Sequence, residues 1–335
     1  MSPRPASLGW LSSPPPAVAV EITAARVTAV ALGEHGSSRV VSGYATEALA
    51  PAVAVPALNA PNVHDERGLA AVIAGVLDKL GHRPRRLALV LPDSVAKVSL
   101  LRFDKVPSDS QDLHQLIRWQ MRKAAPFRID DAQVVWQAGL PLPGGGREFL
   151  VTVARRDIIQ GYERAFDAAG VHAGLVDIAS FNQVNAVLAA GVPAGDWLLV
   201  DVAPDHATLA VVRDGDVVFY RNRETAGEGD MADLVHQTAM YHEDRLGGGG
   251  FSKAVLAGTS VIGADAAGRL LRTLEERIGV KAEPIDFRPA AELRDRIAAS
   301  PELLDVLAPA IGILLRERSP SRRSPSGGTI SQRVA

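Results

Sequence analysis

The sequence contains no cysteine, which excludes disulfide bonds and thiolate metal sites and fits a reducing compartment. The formal net charge is only −2, so the overall charge gives no indication of a nucleic-acid partner. Hydrophobic residues make up 47% of the 335 residues, which supports sizeable cores. A chain of this length has room for two domains, or for one large domain with internal pseudo-symmetry.

No uninterrupted run of 18 apolar residues is present, because Glu21, Arg26 and several prolines interrupt the longest candidates. The sequence therefore predicts no transmembrane helix. The first residues are rich in proline and serine and lack the apolar stretch of a signal peptide. We expect residues 1–15 to be a disordered leader and residues 319–335, rich in Ser, Pro, Gly and Arg, to be a disordered tail.

The familiar motifs of catalysis are also missing. There is no Walker A loop, no Gly-x-Ser-x-Gly elbow and no paired-glycine dinucleotide motif. His236 and His242 lie near Glu243 and Asp244 on one predicted helix, but their spacing is not that of a His-Glu-x-x-His zinc site. We therefore assign no catalytic residue and no metal ligand from the sequence.

The clearest pattern that is present is a β-meander between Trp197 and Arg221. Three apolar, largely β-branched runs, residues 198–202, 207–212 and 217–220, are separated by short polar turns. The second turn contains Gly215, which suits the positive φ of a tight hairpin. Asp201 stands near the end of the first strand, where it is either a solvated turn residue or part of a functional cleft.

This meander has a twin in residues 17–44. When Val20-Glu21-Ile22 is set on Val200-Asp201-Val202, Thr28 matches Thr208, and each threonine follows its acid by seven residues. Such an internal repeat predicts two similar sheets whose acids face each other across a cleft. This is the plan of the actin-like (ribonuclease H-like) ATPase fold of actin and the sugar kinases, in which each half offers a hairpin to the nucleotide phosphates.

Strands alternate with helices along the rest of the chain, which predicts an α/β protein. Asp65 and Gly81 bracket one amphipathic helix. Residues 92–154 read as a small module of strand, helix (Ser108 or Asp109 to about Ala124) and hairpin. We therefore predict a first half (residues 16–91 and 155–193), an inserted α+β subdomain (92–154) and a second half (194–318).

The order and spacing of these segments resemble the PilM family, the cytoplasmic actin-like component of type IV pilus assembly. The resemblance covers about residues 17–318 and is most specific between Leu91 and Asp131. It rests on Val18 to Ile22, Leu91-Pro92-Asp93-Ser94, Ile117-Arg118-Trp119-Gln120 with Pro126-Phe127 and Ile129-Asp130-Asp131, Leu199-Val200-Asp201-Val202, and Ala310 to Arg316.

The resemblance implies an inserted subdomain of the type that PilM shares with FtsA. It also implies ATP with Mg²⁺ as the family's cofactor, and a PilN-like bitopic membrane protein, together with the pilus motor ATPases, as partners. A member of this family would work peripherally at the cytoplasmic face of the inner membrane and contact the membrane only through its partners.

Both phosphate hairpins, however, depart from the family pattern where phosphate binding needs glycine or a cation. Glu21-Ile22-Thr23 and Asp201-Val202-Ala203 stand where the family has Asp-Ile-Gly, Thr28 replaces a lysine, and Pro204 offers no N–H. In the loop that holds adenosine in the family, only Gly258 remains of a glycine triplet. The subdomain that follows the second meander in the family is apparently missing after Arg221. We therefore expect a degenerate cleft that has lost nucleotide binding.

A groove beside the inserted subdomain is the predicted partner site. Its candidate residues are Arg118, Trp119, Arg122, Lys123, Phe127 and Arg128. The cations would suit an acidic peptide or a C-terminal carboxylate, and the aromatic residues would fill its pockets. The plainer interpretation is that Phe127 fills the core of the module and that the cations form a solvated face.

Two other functional classes remain open at this point. One is an enzyme of the same fold, either an ATPase or a sugar kinase, which would need an intact phosphate cradle. The other is the cytoplasmic domain of a type II secretion platform protein or a divisome adaptor similar to FtsA.

Overall fold

The computed structural model describes residues 16–316 except 37, 205, 226–227 and 295–296. The predicted disordered ends, residues 1–15 and 319–335, lie outside the described residues. The strands, in chain order, are β1 (Val18–Ile22), β2 (Arg26–His35), β3 (Ser38–Ala48), β4 (Arg86–Leu91), β5 (Ala96–Phe103), β6 (Ala132–Pro141), β7 (Arg147–Arg155), β8 (His172–Ile178), β9 (Trp197–Val202), β10 (His206–Arg213), β11 (Asp216–Glu224), β12 (Lys253–Ala257), β13 (Ala282–Pro284) and β14 (Glu292–Leu293).

The helices are α1 (Glu66–Leu80), α2 (Ser110–Met121), α3 (Arg156–Ala168), α4 (Ala179–Ala190), α5 (Glu228–Leu246), α6 (Thr259–Ile262), α7 (Ala264–Ile278) and α8 (Pro301–Leu315). The predicted caps are confirmed: the Asp65 carboxylate accepts the Gly68 N–H, and Gly81 ends α1 in the left-handed conformation. Within the described residues, no helix is long and apolar enough to cross a membrane.

Two large sheets repeat the same topology, which confirms the duplication predicted from the sequence. The first sheet contains β3-β2-β1-β4-β8 and the second β11-β10-β9-β12-β13, in these orders. In both, a meander is extended by two parallel strands. The registers also agree, because Glu21 lies opposite Thr28 and Asp201 opposite Thr208.

Helices cover both sheets and fill the space between them. Helices α1 and α3 pack on the outer face of the first sheet, and α5 and α7 pack on that of the second. Between the sheets, apolar side chains of both halves join those of α4 and α8 in one core, for example Ala19, Val90, Leu199 and Ile311. Strands β1, β4 and β9 are apolar on both faces because both faces are covered.

The inserted subdomain has its own small core. Its sheet has the order β5-β7-β6, and α2 packs against one face of this sheet through Ile117 and Met121. Strand β11 of the second half contacts β5 and β6. The predicted strand-helix-hairpin module is therefore present, and it also rests against the second half. The exact domain boundaries stay a prediction.

The last elements of the chain return to the first half. Strand β14 pairs with the edge of β3, and α8 lies on β1, β2 and β4 and crosses α4. At this crossing a Cβ atom on Gly312 would overlap the Asn182 carbonyl group, so only glycine allows the two helices to approach this closely. The crossing fixes the position of α8 between the two halves.

Several boundaries differ from the sequence-based expectations. Helix α2 ends at Met121 instead of about Ala124, because the chain turns there ahead of Pro126. The third strand of the first meander continues to Ala48, and α6 was not predicted. Strand β11 ends at Glu224 and α5 begins at Glu228, in agreement with a chain that lacks a subdomain at this point.

Replacing Gly312 by alanine tests the close crossing of α4 and α8. Because the added methyl group would overlap the Asn182 carbonyl, we expect Gly312→Ala to lower the free energy of unfolding by about 1–3 kcal/mol or more. Urea denaturation measures this difference. Gly268→Ala in α7 is the matched control: only a side-chain atom of Arg272, at 3.8 Å, lies near its Cβ position, so we expect a gain of about 0.5–1 kcal/mol there. Equal effects of the two substitutions would contradict the described crossing.

Candidate functional site

The cleft between the two sheets contains the predicted phosphate hairpins. Because β1 and β9 hold equivalent places in their sheets, the side chains of Glu21 and Asp201 lie near one another, and each charge raises the cost of ionising a carboxyl group here. Glu21 is buried, with 4% of its surface exposed. Thr28, which replaces the family's lysine, is also buried, and its hydroxyl accepts a bond from Thr46 in the same sheet.

The tip of the first hairpin is closed on itself. The Thr23 side chain accepts the N–H groups of Ala25 and Arg26 at 3.3 and 3.1 Å, and its hydroxyl donates to the Arg26 carbonyl at 3.2 Å. Glycine at this position would leave the backbone donors free for a ligand. Here a threonine side chain uses them. Arg26 also places its guanidinium 3.5 Å from the Glu21 carboxylate.

The second hairpin is similarly committed to protein contacts. The N–H of Ala203 donates to the His206 carbonyl at 2.9 Å, and Pro204 has no N–H. The Asp201 carboxylate accepts the side-chain amide of Gln183, on α4, at 2.9 Å. The hairpin therefore presents the Asp201 carboxylate, which is bound to Gln183 of the first half, and the Ala203 N–H is not free for a ligand.

The third loop, which follows β12, packs directly on the second hairpin. Gly258 adopts a left-handed conformation with φ of 77°, and a Cβ there would overlap the Val202 carbonyl group. The Asp305 carboxylate, from α8, accepts the N–H groups of Gly258 and Ser260 at 2.7 and 2.8 Å. The backbone donors of this loop are therefore bound to a carboxylate of the same chain.

Asp93 joins three parts of the cleft. It lies in the turn between β4 and β5 and is 1% exposed. Its carboxylate accepts the N–H and hydroxyl of Ser180 at 3.1 and 2.9 Å, and the hydroxyl of Thr208 at 2.7 Å. Thr208 in turn accepts the Asn222 side-chain amide at 2.8 Å. One carboxylate thus connects the start of the inserted subdomain, α4 and the second sheet.

The cleft is strongly acidic and poorly hydrated. Burial raises the pKa of Glu21, Asp93 and Asp177 above their ordinary values. The pKa of Asp201 is raised further, first by burial and then by the charges of Asp93, Asp305 and Glu21. Two guanidinium groups oppose these shifts, Arg26 beside Glu21 and Arg316 at 3.5 Å from Asp177.

These residues do not fit a nucleotide triphosphate. Phosphate oxygens require free N–H donors and cations, whereas the donors at the tip of the first hairpin are bound to Thr23. The N–H groups of the third loop, which the resemblance assigns to adenosine, are bound to Asp305. Within the described residues, no group of three or more acidic or histidine side chains is arranged to hold a metal ion.

A second candidate site lies on the inserted subdomain. A pocket of about 310 Å³ is lined by Gln115, Arg118, Trp119, Arg122, Ile129 and Asp130. Trp119 is 57% exposed, the highest value among the large aromatic side chains described. Arg118 is already engaged, because its guanidinium donates to the Ile129 carbonyl at 2.8 Å and to Asp130 at 3.2 Å. Arg118 therefore shapes the pocket, and Trp119 and Arg122 remain accessible.

The other predicted groove residues lie at the margin of this pocket or below it. The Lys123 ammonium is 5.9 Å from the centre of the Trp119 ring, within cation–π range. Arg128 is exposed and lies 3.9 Å from Asp131. Phe127 packs against the core of the subdomain and does not line the pocket, which agrees with the plainer interpretation given to it above.

Sequence patterns do not predict the roles of three cleft residues, Asp93, Arg26 and Asp305, because their partners in the cleft are set by the fold. The signal for Asp305 is visible in retrospect, because it is the one acidic residue within the otherwise apolar run of residues 303–308. An acid on the buried face of a helix requires a partner.

Duplicated sheets with hairpin acids on either side of a cleft define an actin-like α/β protein. A solved structure described as the PilM-PilN type IV pilus biogenesis complex has this fold: its TM-score is 0.73 at 17% identity, over 89% of this chain and 96% of that chain. Weaker matches include a Bacteroides thetaiotaomicron protein described as having an actin-like ATPase fold, with TM-score 0.47 and 9% identity over 82% and 91% of the chains. The cytoplasmic domain of EpsL, from the Vibrio cholerae type II secretion system, has TM-score 0.43 and 11% identity over 71% and 80%.

The family model described as type IV pilus assembly protein PilM matches residues 19–245 of this chain. Because the match spans more than half of the sequence, the chain belongs to the PilM family of type IV pilus assembly proteins. This confirms the resemblance drawn from the sequence. No curated protein sequence matches the chain.

The raised pKa of Asp201 predicts how stability depends on pH. A carboxyl whose pKa in the folded chain lies above its ordinary value of 3.8 stabilises the fold when protonated, and this contribution is lost as the pH rises through the raised pKa. Asp201→Asn stays neutral and can still accept the Gln183 bond. We therefore expect it to raise the free energy of unfolding at pH 7 and to flatten the decline in stability above pH 4. Urea titrations across this pH range measure both effects.

Asp286→Asn is the control for this experiment. The pKa of Asp286 is lowered by hydrogen bonds from Arg288, so its charged form is the favourable one and its contribution is lost as the pH falls. We expect no gain in stability at pH 7 from this substitution. A loss of stability in Asp201→Asn would mean that the fold requires the charged carboxylate, and it would contradict our description of the cleft.

Proposed function

We propose that this PilM-family chain is a cytoplasmic adaptor of a type IV pilus assembly platform and that it acts without bound nucleotide. Its task is to bind the cytoplasmic tail of a PilN-like bitopic protein of the inner membrane. The observation that carries the proposal is the exposed Trp119 beside accessible cations on a subdomain that is separate from the blocked cleft. Family membership supplies the biological setting.

The pocket suits a short peptide better than a small metabolite. It is shallow and is formed by one face of α2 and the turn at residues 129–131, so an extended segment can lie across it. Trp119 offers a large apolar surface at its edge, and aromatic side chains of this kind supply much of the binding energy in protein interfaces.

The charge around the pocket indicates what the peptide contains. Arg118 is bound to Asp130, but within the described chain the guanidinium of Arg122 has no hydrogen bond or ion pair. The Lys123 ammonium lies near the face of Trp119. The fitting segment therefore combines an apolar or aromatic side chain, placed against Trp119, with a carboxylate directed at Arg122.

The proposed location follows from this partner. A protein that holds the cytoplasmic tail of a membrane protein lies peripherally at the inner face of that membrane. The inserted subdomain also contacts β11 of the second half, so a bound tail would lie on a unit that the second half supports. We propose that this unit presents the tail to further components of the platform, including the motor ATPases.

Calorimetry with Mg²⁺–ATP tests the nucleotide-free part of the proposal. Because Thr23 binds N–H donors of the first phosphate hairpin and Asp305 binds those of the adenosine loop, we expect no saturable heat at micromolar protein. A dissociation constant below about 1 μM, or roughly −8 kcal/mol, would revive the ATPase or sugar-kinase alternative.

Binding of the partner peptide tests the adaptor role. We expect a fluorescently labelled cytoplasmic segment of the neighbouring PilN-like protein to bind the wild-type chain in an anisotropy titration. Trp119→Ala should weaken binding by about tenfold or more, because it removes the apolar anchor. Arg122→Glu should weaken binding as well. The affinity of the wild type should fall as the salt concentration rises, and the variant should lose this dependence.

Two control variants carry the same changes elsewhere. Arg67→Glu reverses an exposed charge on α1, and Tyr241→Ala removes an aromatic side chain that is 40% exposed on α5. Neither should alter the affinity. If the pocket variants bind like the wild type while they remain folded, the tail docks elsewhere. If the wild type does not bind at all, the adaptor proposal is wrong.

A further inference from the structure

The two halves of this protein are connected across the cleft by carboxylates of the chain itself. Asp93 follows the last strand of the first half that precedes the inserted subdomain, and its carboxylate accepts the Thr208 hydroxyl of the second sheet at 2.7 Å. Its other oxygen accepts two bonds from Ser180 at the start of α4. Because Asp93 is 1% exposed, water does not replace these partners while the halves stay together.

Asp305 makes the equivalent connection on the other side of the cleft. It belongs to α8, which lies on β1, β2 and β4 of the first sheet. Its carboxylate oxygens accept N–H groups of Gly258 and Ser260, which follow β12 of the second sheet. The close crossing of α8 and α4 at Gly312 fixes the helix from which this carboxylate projects.

Separating the halves would break the Thr208 bond to Asp93 and the two N–H bonds to Asp305, whereas the two Ser180 bonds to Asp93 lie within the first half. A buried carboxylate that loses a partner costs more free energy than the bond contributes on average, until water replaces that partner. Opening would also break the apolar core that both halves share around α4 and α8. Both effects favour one closed arrangement.

A nucleotide bound between two halves would hold them closed if its phosphate oxygens accepted hydrogen bonds from donors in both halves. In this chain Ser180 and Thr208 donate to the Asp93 carboxylate, and the N–H groups of Gly258 and Ser260 donate to the Asp305 carboxylate. We propose that Asp93 and Asp305 are built-in anions that keep the two halves closed, so that the cleft neither needs nor admits a nucleotide to reach this state. The proposal concerns the cleft alone and does not depend on which partner binds the inserted subdomain.

The internal repeat supplies a matched pair of variants. Thr28 and Thr208 are both 0% exposed and hold equivalent positions in the two meanders. Only Thr208 binds Asp93 across the cleft, whereas Thr28 contacts Thr46 in its own sheet. Thr208→Val and Thr28→Val therefore each remove one threonine hydroxyl. Thr208→Val removes the hydroxyl that binds Asp93 across the cleft, and Thr28→Val removes one that lies within the first sheet.

Amide hydrogen exchange of the isolated full-length chain separates the two cases. We expect Thr208→Val to raise exchange about tenfold or more in β10, in residues 93–95 at the start of the inserted subdomain, and in the first turn of α4 in the first half. Thr28→Val should change exchange only within the first sheet. The wild-type exchange pattern should be the same with and without Mg²⁺–ATP.

Asp305→Asn tests the hydrogen bonds from Gly258 and Ser260 to Asp305 with a side chain of nearly the same size. The amide keeps one acceptor but directs N–H groups at a backbone donor, so we expect faster exchange across residues 258–263. Asp286→Asn is its control, because Asp286 also accepts a backbone N–H but only within its own loop. It should leave the cleft unchanged.

Three results would overturn the proposal. In the first, Thr208→Val alters exchange only within the second sheet, so that Asp93 does not couple the halves. In the second, Asp305→Asn leaves residues 258–263 as protected as in the wild type. In the third, Mg²⁺–ATP protects the hairpins of the wild type. A failure of the PilN-like peptide to bind would leave all three measurements interpretable, because no partner is present in them.

Discussion

A buried carboxylate must be hydrogen-bonded, and this requirement holds the centre of the molecule together. Asp93 satisfies it with Ser180 from the first half and Thr208 from the second, so its partners are complete only when the halves are closed. Asp305 satisfies it with the N–H groups of Gly258 and Ser260. The shared apolar core around α4 and α8, the acidity of the cleft and the close packing of its loops all depend on this closed arrangement.

The closed cleft changes what the fold can do. Of the two hairpins that would bind phosphate in an actin-like ATPase, the first is bonded within itself through the Thr23 hydroxyl, and the second accepts the Gln183 amide of α4. In the function that we propose, the two halves act as a frame that supports the inserted subdomain. Contacts from β11 to β5 and β6 add to this support, and the exposed Trp119 lies on the supported unit. Rigid presentation of a docking surface lowers the entropic cost of binding a tail.

Much of the fold could be predicted from the sequence because the signals were local or repeated. The spacing from Glu21 to Thr28 recurs from Asp201 to Thr208, and the structure places both pairs in the same register. Caps such as Asp65 marked helix ends, and the module inserted after Pro92 had a clear pattern. The bridges of the cleft could not be predicted, since the contacts of Asp93 and Asp305 join residues that are far apart in sequence. For Phe127 the sequence left two interpretations open, and only its packing against the subdomain core separated them.

The central claim is that docking on the inserted subdomain is independent of nucleotide, because the chain's own carboxylates keep the cleft closed. The most direct measurement is the dissociation constant of the PilN-like cytoplasmic peptide, determined by anisotropy with and without saturating Mg²⁺–ATP. We predict the same value in both conditions, since a ligand that does not bind cannot shift the affinity for another. A reproducible change of threefold or more, roughly 0.7 kcal/mol, would show that a nucleotide binds and is coupled to docking, and it would contradict this account.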